Sequence, residues 1–398
     1  MIYLDNNSTT RMHPEVAEAM NECYQSQFVN PASQHAAGRA ARKRLEQARD
    51  GIGRILGARL DTSHPDRILF TSGGTEANNL ALRGIVTAAG HDVSRDFAIS
   101  AVEHPSITEL AGVLALEGHQ PHVLPVDSRG VLKLDELGSL IERLGSELAC
   151  VSVMAGNNET GVIQPVEKIV EMCGEHRIAV HTDAVQCVAK VPVSFERLGV
   201  DALSLTAHKF HGPRGIGALI VRHDLEVMPL LFGGGQQLAT RPGTESVALA
   251  AGMWRALEIW QRDSEERQRA IQSLRDRMQE QLLKELPDVV INGDGAERLP
   301  HTLNVAFPEV DRQAMMLALD RAGLACSTGS ACASGSSEPS PVLIAMGCDE
   351  SIVGSSLRFS LSSETTTSEV DQAVAIIVEK TLQIKGFSDS ENNTSASR

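Results

Sequence analysis

Two rhythms of apolar and polar positions take turns along the chain. Arg67 to Phe70, Phe97 to Val102, Leu148 to Met154, Ile178 to Thr182, Ala202 to Leu205 and Gly217 to Val221 are short, mostly apolar runs. That is the pattern of strands buried on both faces. Between some of them, Thr75 to Val86, Pro105 to Leu116 and Pro165 to His176 carry apolar residues at helical spacing. Strands separated by helices of this length predict an α/β fold with a mainly parallel sheet covered on both faces. Sites in such sheets gather where loops leave the carboxyl ends of strands.

Upstream, an extended arm to about Pro14 precedes a helix over Val16 to Tyr24, a polar loop from Phe28 to His35, and a basic helix from Ala37 to about Leu56. Downstream, a charged helix is expected from Val247 to Leu286, broken near Asp263, with Ile271, Leu274, Met278 and Leu282 on one face. It leads into a strand over Thr302 to Phe307 and helices over Asp311 to Ala322 and Ser368 to Ile384. The expected division is a large domain over 15–260 and a small domain formed by 1–14 with 261–387. Residues 388–398 lack large apolar side chains and are expected to be a disordered tail.

A length of 398 residues supports two such cores. Aromatic residues at 3% and a net charge of −15 argue against a nucleic-acid binder. No apolar run is long enough to span a membrane, and the N-terminus lacks the pattern of a secretory signal. The seven cysteines are scattered, with no Cys-x-x-Cys pair, which predicts free thiols rather than disulfides or structural zinc. A cytoplasmic protein is the expectation.

The candidate chemistry centres on Lys209, which follows the run Ala202 to Leu205 in Thr206-Ala207-His208-Lys209, before Gly212, Pro213 and Gly215 break the chain into a loop. Burial there favours a neutral amine, the form that condenses with an aldehyde to a Schiff base. The plainer alternative is a strand-end lysine turned to solvent. Gly73-Gly74-Thr75, between a strand and a helix, places free amides and a hydroxyl at a positive helix end. That is either a phosphate cradle or an ordinary capped start. Asp183 ends an apolar run and needs a partner if buried, such as a protonated pyridine nitrogen; otherwise it caps the next segment. Gln186 would then reach the phenolic oxygen of the same cofactor, or be surface.

His104, before Pro105, could stack on an aromatic ring or be structural. His208 and His211 flank Lys209, but the spacing and carboxylate partners of a zinc site are missing, so no protein metal site is expected. Cys332 stands among small residues between Cys326 and Glu338, a loop able to carry a thiol nucleophile, whereas Cys150 in an apolar strand reads as inert. Arg358, in the alternating run Ser355 to Ser360, offers a fork suited to a carboxylate or to a surface ion pair.

In this order the motifs resemble the pyridoxal-phosphate-dependent cysteine desulfurases of the NifS/IscS class, within the class-V aminotransferases. The resemblance runs from Tyr3-Leu-Asp-Asn-Asn-Ser-Thr-Thr10 to about Val370. It includes Asn157-Asn-Glu-Thr-Gly161, His181 to Gln186, Ala207-His-Lys209, Arg241-Pro-Gly-Thr244, and Gly329-Ser-Ala-Cys-Ala333 with Glu338-Pro-Ser340. It implies the fold type I of pyridoxal-phosphate-dependent transferases, a mainly parallel seven-stranded sheet in a large domain with a smaller α+β domain.

The resemblance also implies the roles. Lys209 would carry the cofactor as a Schiff base, and Gly74, Thr75, Thr206 and His208 would hold its phosphate, with Thr244 reaching in from the neighbouring subunit of a homodimer. Asp183 would face the pyridine nitrogen, Gln186 the phenolic oxygen, and His104 the ring, where it could assist proton transfer. Asn157 would lie near ring and substrate, while Arg358, with Asn30 close by, would take the carboxylate of L-cysteine. Cys332 would attack the substrate sulfur, leaving alanine and a persulfide. The sulfur acceptor would be an iron–sulfur scaffold protein, which could receive its cluster at Cys332, or a tRNA-thiolation protein. The rivals are an aminotransferase or selenocysteine lyase of the same fold, and a sulfur-relay protein without catalysis. Three places depart from the family pattern: Gln237, Leu238 and Ala239 intervene before Arg241, Arg214 and His211 replace a lysine and a tyrosine common after the Schiff-base lysine, and Cys326 is a second thiol near Cys332. Cys326 is either a packing residue or a disulfide partner for Cys332.

Overall fold

The apolar runs become strands of one sheet in the computed structural model, which describes residues 1–26, 29–89, 95–329 and 338–395, with side chains as far as residue 386. After the two-residue strand β1 (Ile2–Tyr3) come β2 (Arg67–Thr71), β3 (Asp96–Ser100), β4 (Gln120–Leu124), β5 (Leu148–Ser152), β6 (Ala179–Asp183), β7 (Ala202–Thr206) and β8 (Gly217–Val221). Strands β2 to β8 form a seven-stranded sheet in the order β2-β8-β7-β6-β5-β3-β4. Only β8 runs against the others, pairing antiparallel with β2 and β7. The carboxyl ends of β2, β3, β5, β6 and β7 therefore share one edge.

Alternate residues of each strand serve different cores, as the pleat requires. Ile68, Phe70, Ala98, Val151, Leu203, Leu205 and Ile220 belong to one cluster. Leu69, Phe97, Ile99, Cys150, Ala202, Leu219 and Val221 belong to another. With both faces filled, Leu203 and Leu219 are wholly buried. Truncating either to alanine would cost about 2–5 kcal/mol.

Strand β4 and the helix Leu134–Leu144 have no counterpart in the expected elements. The segment Gln120-Pro-His-Val-Leu124 is polar, contains proline and is mostly unburied, as an edge strand allows. Its pattern carried no strand signal for that reason. The long charged helix is indeed two, Val247–Gln261 and Ser264–Glu285.

A second core lies around β9 (Val290–Ile291), β10 (Thr302–Ala306), β11 (Leu324–Ala325) and β12 (Ser356–Ser360). Strands β12, β10 and β9 form an antiparallel sheet, while β11 pairs in parallel with β1. Ile2 and Leu4 pack in this core with Ile271, Leu303, Leu324, Phe359 and Val370. The start of the chain is thus stitched to its last third. The final helix spans Thr367–Ser395 and so continues through much of the segment expected to be a tail, whose side chains lie outside the described residues. Among the described residues no helix is long and apolar enough to cross a membrane.

Candidate active site

Five expected site positions follow directly from strands that end at the shared edge. Gly74 starts the helix Gly74–Ala89 just beyond β2, and His104 caps the helix Pro105–Leu116 beyond β3. Asn157 follows β5, Asp183 ends β6, and Lys209 lies in the single helical turn Ala207–Lys209 after β7. Parallel pairing of β6 with β7 sets Asp183 beside Ser204.

The Lys209 ammonium donates to the main-chain oxygens of Asn7 and Ser8, the latter at 2.8 Å. Gln186 Nε2 donates to the same Asn7 oxygen at 3.1 Å. The N-terminal arm therefore lies against Lys209, and His208 Nδ1 lies 3.2 Å from the Thr9 hydroxyl. Burial, then Lys209 and Arg214, push His208 down to about 4, so it is neutral near pH 7. A side-chain carbon on Gly74 would come within 3.0 Å of Val185 and 3.5 Å of Thr206, so glycine lets the helix start close on the end of β7. The Thr206 hydroxyl donates to the Ile216 oxygen at 3.0 Å, and Thr75 is exposed at the helix start.

Asp183 is buried, with Oδ1 accepting from the Val185 amide at 2.9 Å and Oδ2 from Asn78 Nδ2 at 2.6 Å. Asn78 also donates to the Ser106 hydroxyl at 2.9 Å. The Ser106 amide and hydroxyl lie 3.1 and 2.8 Å from His104 Nδ1. A polar chain thus runs Asp183–Asn78–Ser106–His104. Because His104 Nδ1 accepts from an amide, its proton belongs on Nε2.

Asn157 is spent on its own turn. Its Oδ1 accepts from the amides of Glu159 and Thr160, each at 2.9 Å, and from the Thr160 hydroxyl, while Nδ2 donates to the Val102 oxygen at 3.0 Å. What it can present to a ring is its flat face, not an unused hydrogen-bonding atom. Arg358 is almost wholly buried, bonding Asp5 at 2.8 Å, the Asn158 oxygen at 2.9 Å and the Gly329 oxygen at 3.3 Å. Its Nε has no partner among the described residues. Asn30 is exposed, and its Oδ1 accepts from the Ala32 amide at 2.8 Å. No hydrogen bond joins it to Arg358 among the described residues. Thr244 is exposed on the loop after β8. Cys332 lies outside the described residues.

Two carboxyls beside these groups were not singled out from sequence. Glu103 is fully buried, accepting from the Ser100 hydroxyl at 2.6 Å and the Met154 amide at 2.8 Å. Burial pushes it up to about 8, so it is a neutral acid beside the Asp183 carboxylate. Glu159 accepts the Ser340 hydroxyl at 2.6 Å, and burial raises it too, against the pull of Arg358 and Arg312. Cys326 packs against the smaller core and is pushed up to about 12 by burial, as suits a packing residue.

Residues 2–373 match the class-V aminotransferase family. The chain belongs to that family. It is 38% identical over 387 residues to the cysteine desulfurase NifS of Azotobacter vinelandii, covering 97% of this chain and 94% of that one. It is 40% identical over 389 residues to a cysteine desulfurase of Cereibacter sphaeroides, covering 97% of each chain. Among solved structures, a NifS-like protein from Rickettsia africae superimposes with a TM-score of 0.86 at 31% identity, covering 97% of this chain and 99% of that one.

The cofactor of class-V aminotransferases is pyridoxal 5'-phosphate, and the site fits it. Asn7 Oδ1, Asn78 Oδ1 and Gln186 Oε1 are buried acceptors without partners among the described residues; Asn78 bonds Asp183, and Gln186 and Lys209 both bond the main-chain oxygen of Asn7. Unsatisfied buried groups clustered this way suit a polar ligand. The lysine, the carboxylate with lone pairs to spare, and the open helix start of Gly74 supply the donor set such a ligand needs. Asn78 and Ser106, which join Asp183 to His104, were missed from sequence. The signal was there: paired asparagines, Asn78 and Asn79, are poor choices for the interior of a helix unless the side chain is used.

Proposed function

We propose that this class-V aminotransferase homologue is a cysteine desulfurase, which converts L-cysteine to L-alanine and keeps the sulfur as a persulfide on Cys332. The observation that carries the proposal is the meeting of Lys209, the Asp183–Asn78–Ser106–His104 chain and the Gly74 helix start at one sheet edge. When bound, pyridoxal phosphate supplies an aldehyde for amine condensation and a ring that withdraws electrons from the substrate α-carbon.

The chain's own residues do the rest. Gly74, Thr75, Thr206 and His208 hold the phosphate, with Thr244 of a second subunit. Asp183 would hold the proton on the pyridine nitrogen, Gln186 would face the phenolic oxygen, His104 would face the ring, and Asn157 would lie near ring and substrate. Arg358, assisted by Asn30, orients the L-cysteine carboxylate, with Nε and the second N–H of Nη2 the donors left for that task among the described residues. Lys209 carries the α-proton. The Cys332 thiolate forms a bond to the substrate sulfur as the carbon–sulfur bond breaks. The bonding electrons return to carbon, where protonation completes alanine.

Leu231, Phe232 and Leu238, at 50%, 89% and 75% exposure on the segment that leads from β8 to Thr244, support a homodimer. The six cysteines among the described residues are free thiols, which suits a cytoplasmic setting. The persulfide would pass to an iron–sulfur scaffold or a tRNA-thiolation protein. The division into a large domain over 15–260 and a small one from 1–14 and 261–387 is supported by the separate core around Ile2, Leu4, Leu303 and Phe359. The test is incubation of protein reconstituted with pyridoxal phosphate in L-cysteine, with alanine quantified and the persulfide peptide trapped by alkylation. Alanine production unchanged in Cys332→Ala, or a visible cofactor band surviving in Lys209→Ala, would overturn the assignment of roles.

A further inference from the structure

Behind the Lys209 turn lies a second polar cluster that the proposed reaction does not use. Lys190 is 3% exposed, yet its ammonium makes no hydrogen bond or ion pair among the described residues. It lines a cavity of about 20 Å³, together with His13, His211, Arg267 and Ser363. The remaining walls are apolar, from Phe210, Trp260 and Ile271 among others. No aspartate or glutamate lines the space. Asp263, which pairs with Arg267 Nε, stands outside it.

Three kinds of donor remain unspent there. Lys190 keeps all of its N–H bonds, and Arg267 keeps its terminal nitrogens because only Nε is engaged among the described residues. His13 accepts the Glu15 amide on Nδ1 at 3.2 Å, which leaves Nε2 as its donor. His211 plays the opposite part. Its Nδ1 donates to the Arg11 oxygen at 2.9 Å and its Nε2 faces the Ser363 hydroxyl at 3.5 Å. Burial pushes His211 down to about 4, and Lys190, His13 and Arg267 all add to that push. Burial and Lys209 push Lys190 down to about 8.

Strain points to the same place. Ala189, buried and immediately before Lys190, has φ of 56°, a left-handed conformation that costs a residue with a side chain on the order of 1 kcal/mol. The turn after Gln186 accepts that cost while delivering an unpaired ammonium to the cavity. A buried cation without a counter-charge is expensive, and a bound anion would remove the expense.

We propose that the cavity between Lys190, His13, His211 and Arg267 is a binding site for one small inorganic anion. A volume of about 20 Å³ exceeds what a single water requires. The anion bridges the two cores. Lys190 and His211 flank the turn carrying Lys209, whereas Arg267 lies on the helix Ser264–Glu285 and Ser363 follows β12. Its binding ties the smaller unit to the lysine turn.

The experiment uses protein saturated with pyridoxal phosphate, so that the cradle at Gly74 is already filled. Melting temperature is followed at constant ionic strength as potassium gluconate is replaced by potassium bromide or, separately, potassium sulfate. The site predicts a saturable rise, roughly 2 °C or more at a hundredfold excess over the dissociation constant. Saturation by bromide alone identifies a halide site and by sulfate alone an oxyanion site. Saturation by both supports a site for either, and each case supports the proposal. The rise disappears in Lys190→Met and in Arg267→Gln. Arg267 is only partly buried, so the second variant folds even where the first does not. A featureless salt response with both anions, or a saturable rise retained in Arg267→Gln, overturns it.

Discussion

Asn78 and Asp183 are joined by a 2.6 Å hydrogen bond that spans 105 residues of sequence. Through it the carboxylate reaches Ser106 and His104. Asn78→Ala leaves a buried carboxylate short of a donor, at about 1–3 kcal/mol. Cofactor retention is expected to weaken roughly tenfold to a hundredfold, read from loss of visible absorbance on dialysis. Asn78→Asp, which sets a like charge beside Asp183, should be worse. Retention equal to the parent in both variants would show that the link does not matter.

Glu103 makes a prediction about pH. Its carboxyl ordinarily titrates near 4.5 and is pushed up to about 8 in the folded chain. The folded state therefore holds a proton that the unfolded state has lost between those values. Its contribution to stability is full below pH 4.5 and is lost as pH rises to 8. In Glu103→Gln that loss is absent, so its melting temperature relative to the parent should climb from pH 5 to pH 8 and then level. The slope is at most about 1.4 kcal/mol per pH unit. A difference independent of pH would mean Glu103 is charged throughout.

Asn157→Ala removes a side chain that bonds Val102, Glu159 and Thr160. The expected cost is about 2–4 kcal/mol of stability, present with or without cofactor. Thermal melts of the cofactor-free protein check this. A side chain serving the cofactor alone would leave that melt unchanged.

Arg358→Lys replaces a fork that holds Asp5, the Asn158 oxygen and the Gly329 oxygen with a single point charge. KM for L-cysteine is expected to rise about tenfold or more, with a smaller effect on kcat. Steady-state alanine production separates the two. An unchanged KM would remove the arginine from substrate binding.

The strands of the main sheet were legible because burial on both faces writes continuous apolar runs. Lys209 and Asp183 stood out because each ends such a run. Strand β4 escaped because an edge strand needs little apolar surface, and Gln120-Pro121-His122 shows none of the usual pattern. Asn78 and Glu103 escaped for a different reason. A polar residue inside a helix or next to a histidine reads as exposed, and only the folded chain reveals that it faces inward. The family resemblance implies Asn157 near the ring, but local spacing cannot say that its amide closes its own turn. The pairing of β1 with β11 has no local signature at all.

The arm that lies over Lys209 has a consequence for how the protein is made. Asn6 and Asn7 bond Ser360, a separation of 354 residues for Asn6 and 353 for Asn7, and Ile2 pairs with Leu324. During synthesis those first residues emerge long before the partners that order them. The arm must wait, unpaired, until the smaller core exists, and such long-range closure is slow. The Lys209 site is then completed last, by residues translated long before the partners that order them.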